Sequence, residues 1–199
     1  PVVFLSLKGA AGNSFEDAKA RIRAIMSAEA IRHSYLKNSD KLEESEKKYL
    51  LKLMNCILEP MDITDSLAIL TSLLCKHYNR KVILLVDEYD VPLDKAFLNG
   101  YYNDMVGFIR TFLGGALKTN DNTEFAVVTG CLRISKESIF TGLNNFSTFT
   151  ITDDLFSQYF GFTDAEVKEM LDYYGVSDYY STAKDWYDGY SFGKTEIYC

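Results

Sequence analysis

The stretch "VILLVDEYDVPLD", residues Val82 to Asp94, constrains the fold more than any other part of this chain. Five aliphatic residues without polar alternation read as a strand buried on both faces, the signature of a parallel sheet covered by helices. The run ends in Asp87, Glu88, Asp90 and Asp94. In open α/β sheets the carboxyl ends of the strands open into the ligand crevice, where paired acids hold a divalent cation against phosphate. The competing reading is that a buried strand simply reaches water there.

Strand and helix patterns alternate around this run. "PVVFLSLKG" reads as a strand over Val2 to Leu7. A helix follows from Ser14, with Ser14 and Asp17 as a capping-box-like start and Phe15, Ala18, Ile22, Ile25 and Met26 on one face. The segment 39–59 is charged in its first half and apolar in its second, a helix that Pro60 is expected to end. Ile63, Leu67, Leu70, Leu74 and Tyr78 keep helical spacing, as do Met105, Ile109, Phe112, Leu113 and Leu117. "EFAVVTG" is a third short strand. Strands separated by helices imply parallel pairing through right-handed crossovers, hence an α/β fold.

From about Ser147 the character changes. "STFTITD" reads as one more strand, and "FTDAEVKEMLDYYG" as a helix opened by Thr163 and Glu166 and closed by Gly175. The Tyr-rich end carries the single tryptophan, and Trp186, Tyr187 and Tyr190 are expected to pack over the core or a cleft edge. The division that follows is 1–152 for the α/β core and 153–199 for a small helical lid.

Composition sets the limits. At 199 residues, 47% hydrophobic and 25% charged, the chain has the makeup of an ordinary globular protein. No apolar run is long enough to span a membrane, which points to a cytoplasmic protein. The net charge of −7 argues against nonspecific binding of nucleic acid by this surface. Cys56, Cys75, Cys131 and Cys199 have no CxxC spacing and read as reduced thiols. His33 and His77 offer little for a histidine-based site. Gly193, Lys194 and Thr195 mimic the tail of a phosphate-binding P-loop, but the required earlier glycine is Asp188, and no strand–loop–helix context surrounds them.

"VILLVDEYDVPL", then "FAVVTGCLRISKESIFTGLNNF", "FGFTDAEV" and "WYDGYSFG", in that order, resemble the bacterial AAA-ATPase-like family, whose members commonly carry a PD-(D/E)XK nuclease-like domain at the carboxyl end. The resemblance implies a three-layer P-loop-NTPase-like parallel sheet, with ATP and Mg2+ as cofactors. It implies that Asp87 and Glu88 are the Walker B pair. Asp87 would hold the magnesium ion and Glu88 would orient or deprotonate the attacking water. Thr129 would stand at the sensor position, with Arg133 and Lys136 as weaker candidates for phosphate contacts and a solvated loop as the preferred reading of Lys136. The family's P-loop precedes the strand matching Val2 to Leu7, so the sequence is expected to begin after it and to stop before the nuclease-like domain. The central P-loop strand would therefore be missing, with Val82 to Val86 lying between the other two visible strands. Nucleic acid would be a partner through the nuclease-like domain, and self-association is left open. Two other readings stand beside this one: a regulatory module with a decayed nucleotide site, and a stand-alone magnesium site built from Asp87, Glu88, Asp90 and Asp94.

Overall fold

A computed structural model describes residues 1–59, 63–118, 120–131 and 146–199. Two compact units divide the chain, Pro1–Asn144 and Asn145–Cys199.

The first unit is built on three parallel strands in the order β1 (Val2–Ser6), β2 (Val82–Asp87) and β3 (Thr123–Val128). The middle place of β2 agrees with the expectation from sequence. Among the described residues five α-helices accompany the sheet: α1 (Phe15–Arg32), α2 (Glu44–Met54), α3 (Ser66–Tyr78), α4 (Val91–Leu98) and α5 (Tyr102–Leu117). Ser14 caps α1 by accepting the Asp17 N–H at 3.2 Å. Six residues before Pro60, α2 ends in a Schellman turn. Cys56 turns left-handed at φ 57°, the Ile57 N–H reaches the Lys52 carbonyl and the Cys56 N–H the Leu53 carbonyl. The backbone there has satisfied its own carbonyls, so the proline is not what stops the helix.

Helices α1, α3 and α5 pack on β1, β2 and β3 respectively, and α3 packs on both α1 and α5. Val3, Leu5, Val82, Leu84 and Val86 point into this layer and are buried beside Ile22, Met26, Leu70 and Phe112. The opposite face is different. Val2, Phe4, Phe125 and Val127 are exposed there, and Ile83 and Leu85 are only half-buried. The cross-strand register places these six in two rows, Val2–Ile83–Phe125 and Phe4–Leu85–Val127. The expected three-layer, doubly covered sheet is therefore corrected to two layers among the described residues. The reason is topological. Strands added in one direction through right-handed connections put every crossover helix on the same face, and only a reversal of strand order would cover the other.

The outer edge of β1 is met by a buried carboxylate. Glu29 of α1 accepts the Phe4 N–H at 3.0 Å, pairs with Arg32 at 2.7 Å and lies 3.2 Å from the His33 ring. The His33 ring also meets the Tyr35 hydroxyl at 3.0 Å, which in turn accepts from Tyr78. Burial alone would raise the Glu29 carboxyl. The hydrogen bonds from His33 and Phe4 and the Arg32 charge outweigh it and hold the group below the ordinary carboxylate range.

The second unit holds α6 (Asp164–Tyr173), α7 (Tyr180–Tyr187) and an antiparallel sheet of β4 (Phe162–Thr163), β5 (Tyr190–Phe192) and β6 (Thr195–Tyr198), in the order β4-β6-β5. The expected helical piece thus carries a sheet as well. Thr163 and Glu166 form the capping box of α6, and Gly175, at φ +66°, closes it. "STFTITD" is not a strand. Its Thr150 N–H donates to Asp153 Oδ2 at 2.6 Å, and the Asp153 N–H returns to the Thr150 carbonyl, a local turn that competes with sheet pairing. Gly193 and Lys194 form the two-residue turn between β5 and β6, so the P-loop lookalike is a hairpin. Trp186, Tyr187 and Tyr190 are exposed rather than packed. The core of this unit is too small to take them: its buried side chains are Ser157, Val167, Ile197 and Tyr198.

Candidate functional site at the carboxyl edge of the parallel sheet

The ladder between β2 and β3 runs one step past the strands. Thr129 donates its N–H to the Val86 carbonyl at 2.8 Å, and its own carbonyl accepts the Tyr89 N–H at 3.1 Å. This brings Asp87 and Thr129 to the same edge, and the Thr129 hydroxyl donates to Asp87 Oδ1 at 2.5 Å. Alternation along β2 puts the Asp87 side chain on the uncovered face, with Ile83 and Leu85.

Glu88 follows at φ +55°, the left-handed region that a residue with a Cβ enters at a cost of about 1–2 kcal/mol. The turn starts α4: the Val91 N–H donates to the Glu88 carbonyl, and Pro92 stands in the first turn, where its missing N–H costs nothing. Glu88 Oε2 is buried and has no hydrogen-bond partner among the described residues. Backbone strain and an unsatisfied buried carboxylate oxygen thus coincide in one residue, a pairing that folding alone does not favour.

Asp90 is buried at the start of α4, and Gly130 lies directly against it. A Cβ at Gly130 would come within 2.6 Å of Asp90 Oδ1 and 2.7 Å of the Tyr89 ring. The sequence reading missed this contact, although the glycine after the third strand was its visible trace. Asp94 is one helical turn further along α4 and exposed.

Arg133 and Lys136 lie outside the described residues. Among the described residues no group of three or more His, Cys, Asp or Glu side chains could hold a metal ion. That removes the geometric support for a stand-alone magnesium site of four acids. It remains compatible with magnesium held by one or two carboxylates, with phosphate and water completing its octahedron. The Thr129 bond uses Asp87 Oδ1 and not Oδ2, and Glu88 Oε2 is buried without a hydrogen-bond partner among the described residues. His77 sits in the last turn of α3 with Nδ1 2.8 Å from the Ser39 hydroxyl. Cys56, Cys75, Cys131 and Cys199 are free thiols. Among the described residues no helix is long and apolar enough to cross a membrane.

An uncharacterized protein in the vnfD 5' region of Azotobacter chroococcum mcd 1 is 27% identical over 121 residues, which is 59% of this chain and 23% of that protein. The chain thus spans about a quarter of the length of this curated relative. No solved structure matches. The family described as predicted AAA-ATPase matches residues 1–140, which include all three parallel strands together with Asp87 and Glu88. The chain belongs to the AAA-ATPase-like family.

Proposed function

We propose that the carboxyl edge of β2 and β3 is the Walker B and sensor half of an ATPase site, and that the intact protein binds ATP with Mg2+ and hydrolyses it. The observation that carries this reading is Glu88, held left-handed with a buried, unpartnered oxygen beside the Asp87–Thr129 pair. Bound Mg·ATP supplies the electrophilic phosphorus and the neutralising charge. Asp87 would hold the cation, and the Thr129 hydroxyl fixes the rotamer of its carboxylate. Glu88 orients the attacking water and takes its proton, and the turn that strains its backbone aims the carboxylate. Thr129 would serve as the sensor, its hydroxyl being a group that could bond a phosphate oxygen in place of Asp87.

The reading assigns the phosphate cradle to a P-loop segment of the intact protein, as the family resemblance implies. The bare apolar face of the sheet, with Phe4, Phe125 and Val127 exposed, is the surface that this segment would cover. The same reading makes ATP turnover a switch or motor for an attached nuclease-like domain, and through it for nucleic acid. In the longer protein, Glu88→Gln is expected to keep ATP binding while slowing hydrolysis by roughly two to four orders of magnitude, since the amide keeps the shape and loses the base. Hydrolysis at the parental rate by this variant would contradict the role given to Glu88.

A further inference from the structure

The chain's charge is unevenly placed. Residues 145–199 carry ten acids against three lysines, and so hold the whole net charge of −7; the preceding residues balance eighteen acids with eighteen bases. The same unit exposes its largest rings. Trp186 is 78% exposed, and Tyr179 and Tyr187 are also more than half exposed.

These rings are ordered by α7. Tyr179, Ala183, Trp186 and Tyr187 fall on one face at helical spacing, and with Thr182 they line a shallow open depression. Asp185 lies on the adjoining stripe with Thr182, and Asp178 stands in the short 3-10 turn Ser177–Tyr179 that leads into α7. Both are exposed, and among the described residues no ion pair neutralises either. On the far flank Lys184 is already held by Asp188 at 3.4 Å and Glu196 at 3.9 Å, so the free charge along the rings is negative.

Exposed rings can serve nucleobases, apolar chains or cations. The charge separates these. Phosphate-bearing ligands, nucleic acid and anionic lipid alike, are repelled by a unit of net −7, whereas guanidinium and ammonium groups are drawn to ring faces and carboxylates together. The unit already binds one of its own cations in this way: Lys168 Nζ lies 2.7 Å from Asp164 Oδ2 and 4.8 Å from the Tyr180 ring centroid.

We infer that the α7 face, with Tyr179, Trp186 and Tyr187 bordered by Asp178 and Asp185, is a docking surface for a basic protein segment whose Arg or Lys side chains stack on the rings. It does not depend on the nucleotide site. Trp186 is the single tryptophan of the chain, so its fluorescence reports on this surface alone. The test titrates the full chain with a short peptide alternating Arg and Gly. A peptide alternating Glu and Gly and an oligothymidylate serve as controls. The expected result is a saturable change in Trp186 emission with the Arg–Gly peptide only, weakened by salt. By calorimetry, Asp178→Asn with Asp185→Asn should loosen binding about threefold or more, and Trp186→Ala about tenfold. These positions are exposed, so far-ultraviolet circular dichroism should show the parental fold in each variant. An unchanged emission, an equal response to either control, or variants that bind like the parent would overturn the proposal. So would sedimentation showing that a second copy of the chain already covers Trp186.

Discussion

The Thr129 hydroxyl donates to Asp87 Oδ1 at 2.5 Å, which ties the ends of β2 and β3 by side chains as well as by the backbone ladder. The bond engages Oδ1 of Asp87 and fixes the direction in which the carboxylate points; the proposed cation role falls to the other oxygen. Thr129→Val keeps the branched shape and removes the donor. Because the pair is exposed, stability should change by no more than about 1 kcal/mol in urea unfolding. ATP turnover by the longer protein should fall, with Thr129→Ser restoring most of it. Full turnover in the valine variant would mean that the hydroxyl only decorates the strand end.

Glu88 should reveal its strain as a trade between stability and activity. Glu88→Gly removes both the left-handed penalty and the unpartnered buried oxygen, and costs some unfolded-state entropy. The expected net is a gain of about 1 kcal/mol in unfolding free energy together with loss of hydrolysis. A variant less stable than the parent would show that the Glu88 side chain supports the fold.

Glu29 should govern part of the acid sensitivity. Its folded carboxyl titrates lower than in the unfolded chain, so its contribution is present above the unfolded value, about 4.3, and is lost as pH falls through the folded one. Glu29→Gln should therefore lower stability at neutral pH, by roughly 2 kcal/mol, and flatten the decline below pH ~4.5. Parallel pH profiles for parent and variant would remove Glu29 from the account of acid unfolding.

The parallel direction of the three strands was legible from local rules, an aliphatic run, helical spacing between runs and one hand of crossover, whereas their order was implied by the family resemblance. The one-sided covering of the sheet was not. Five aliphatic residues in β2 look the same whether one face or both are buried, and only the strand order says which. The shared edge of Asp87 and Thr129 followed from the strand order too. The left-handed turn at Glu88 left no trace, since glycine is the residue that usually marks such a position. Gly130 was visible but silent, because its reason is the approach of Asp90 and Tyr89 from a different strand end. The Glu29–His33–Tyr35–Tyr78 chain joins α1 to α3 through contacts that no periodicity encodes. In the second unit, Thr163 and Gly175 announced α6 by their chemistry, whereas the β5–β6 hairpin was hidden in a run of tyrosines.

The most direct measurement is Mn2+ binding, as a spectroscopic substitute for Mg2+, followed by electron paramagnetic resonance on the longer protein with ATP present. The expected result is that Asp87→Asn weakens Mn2+ binding by about tenfold or more, while Glu88→Gln leaves it close to the parent and removes turnover. If Asp87→Asn binds Mn2+·ATP as tightly as the parent, the acids at the end of β2 are only the place where a buried strand meets water.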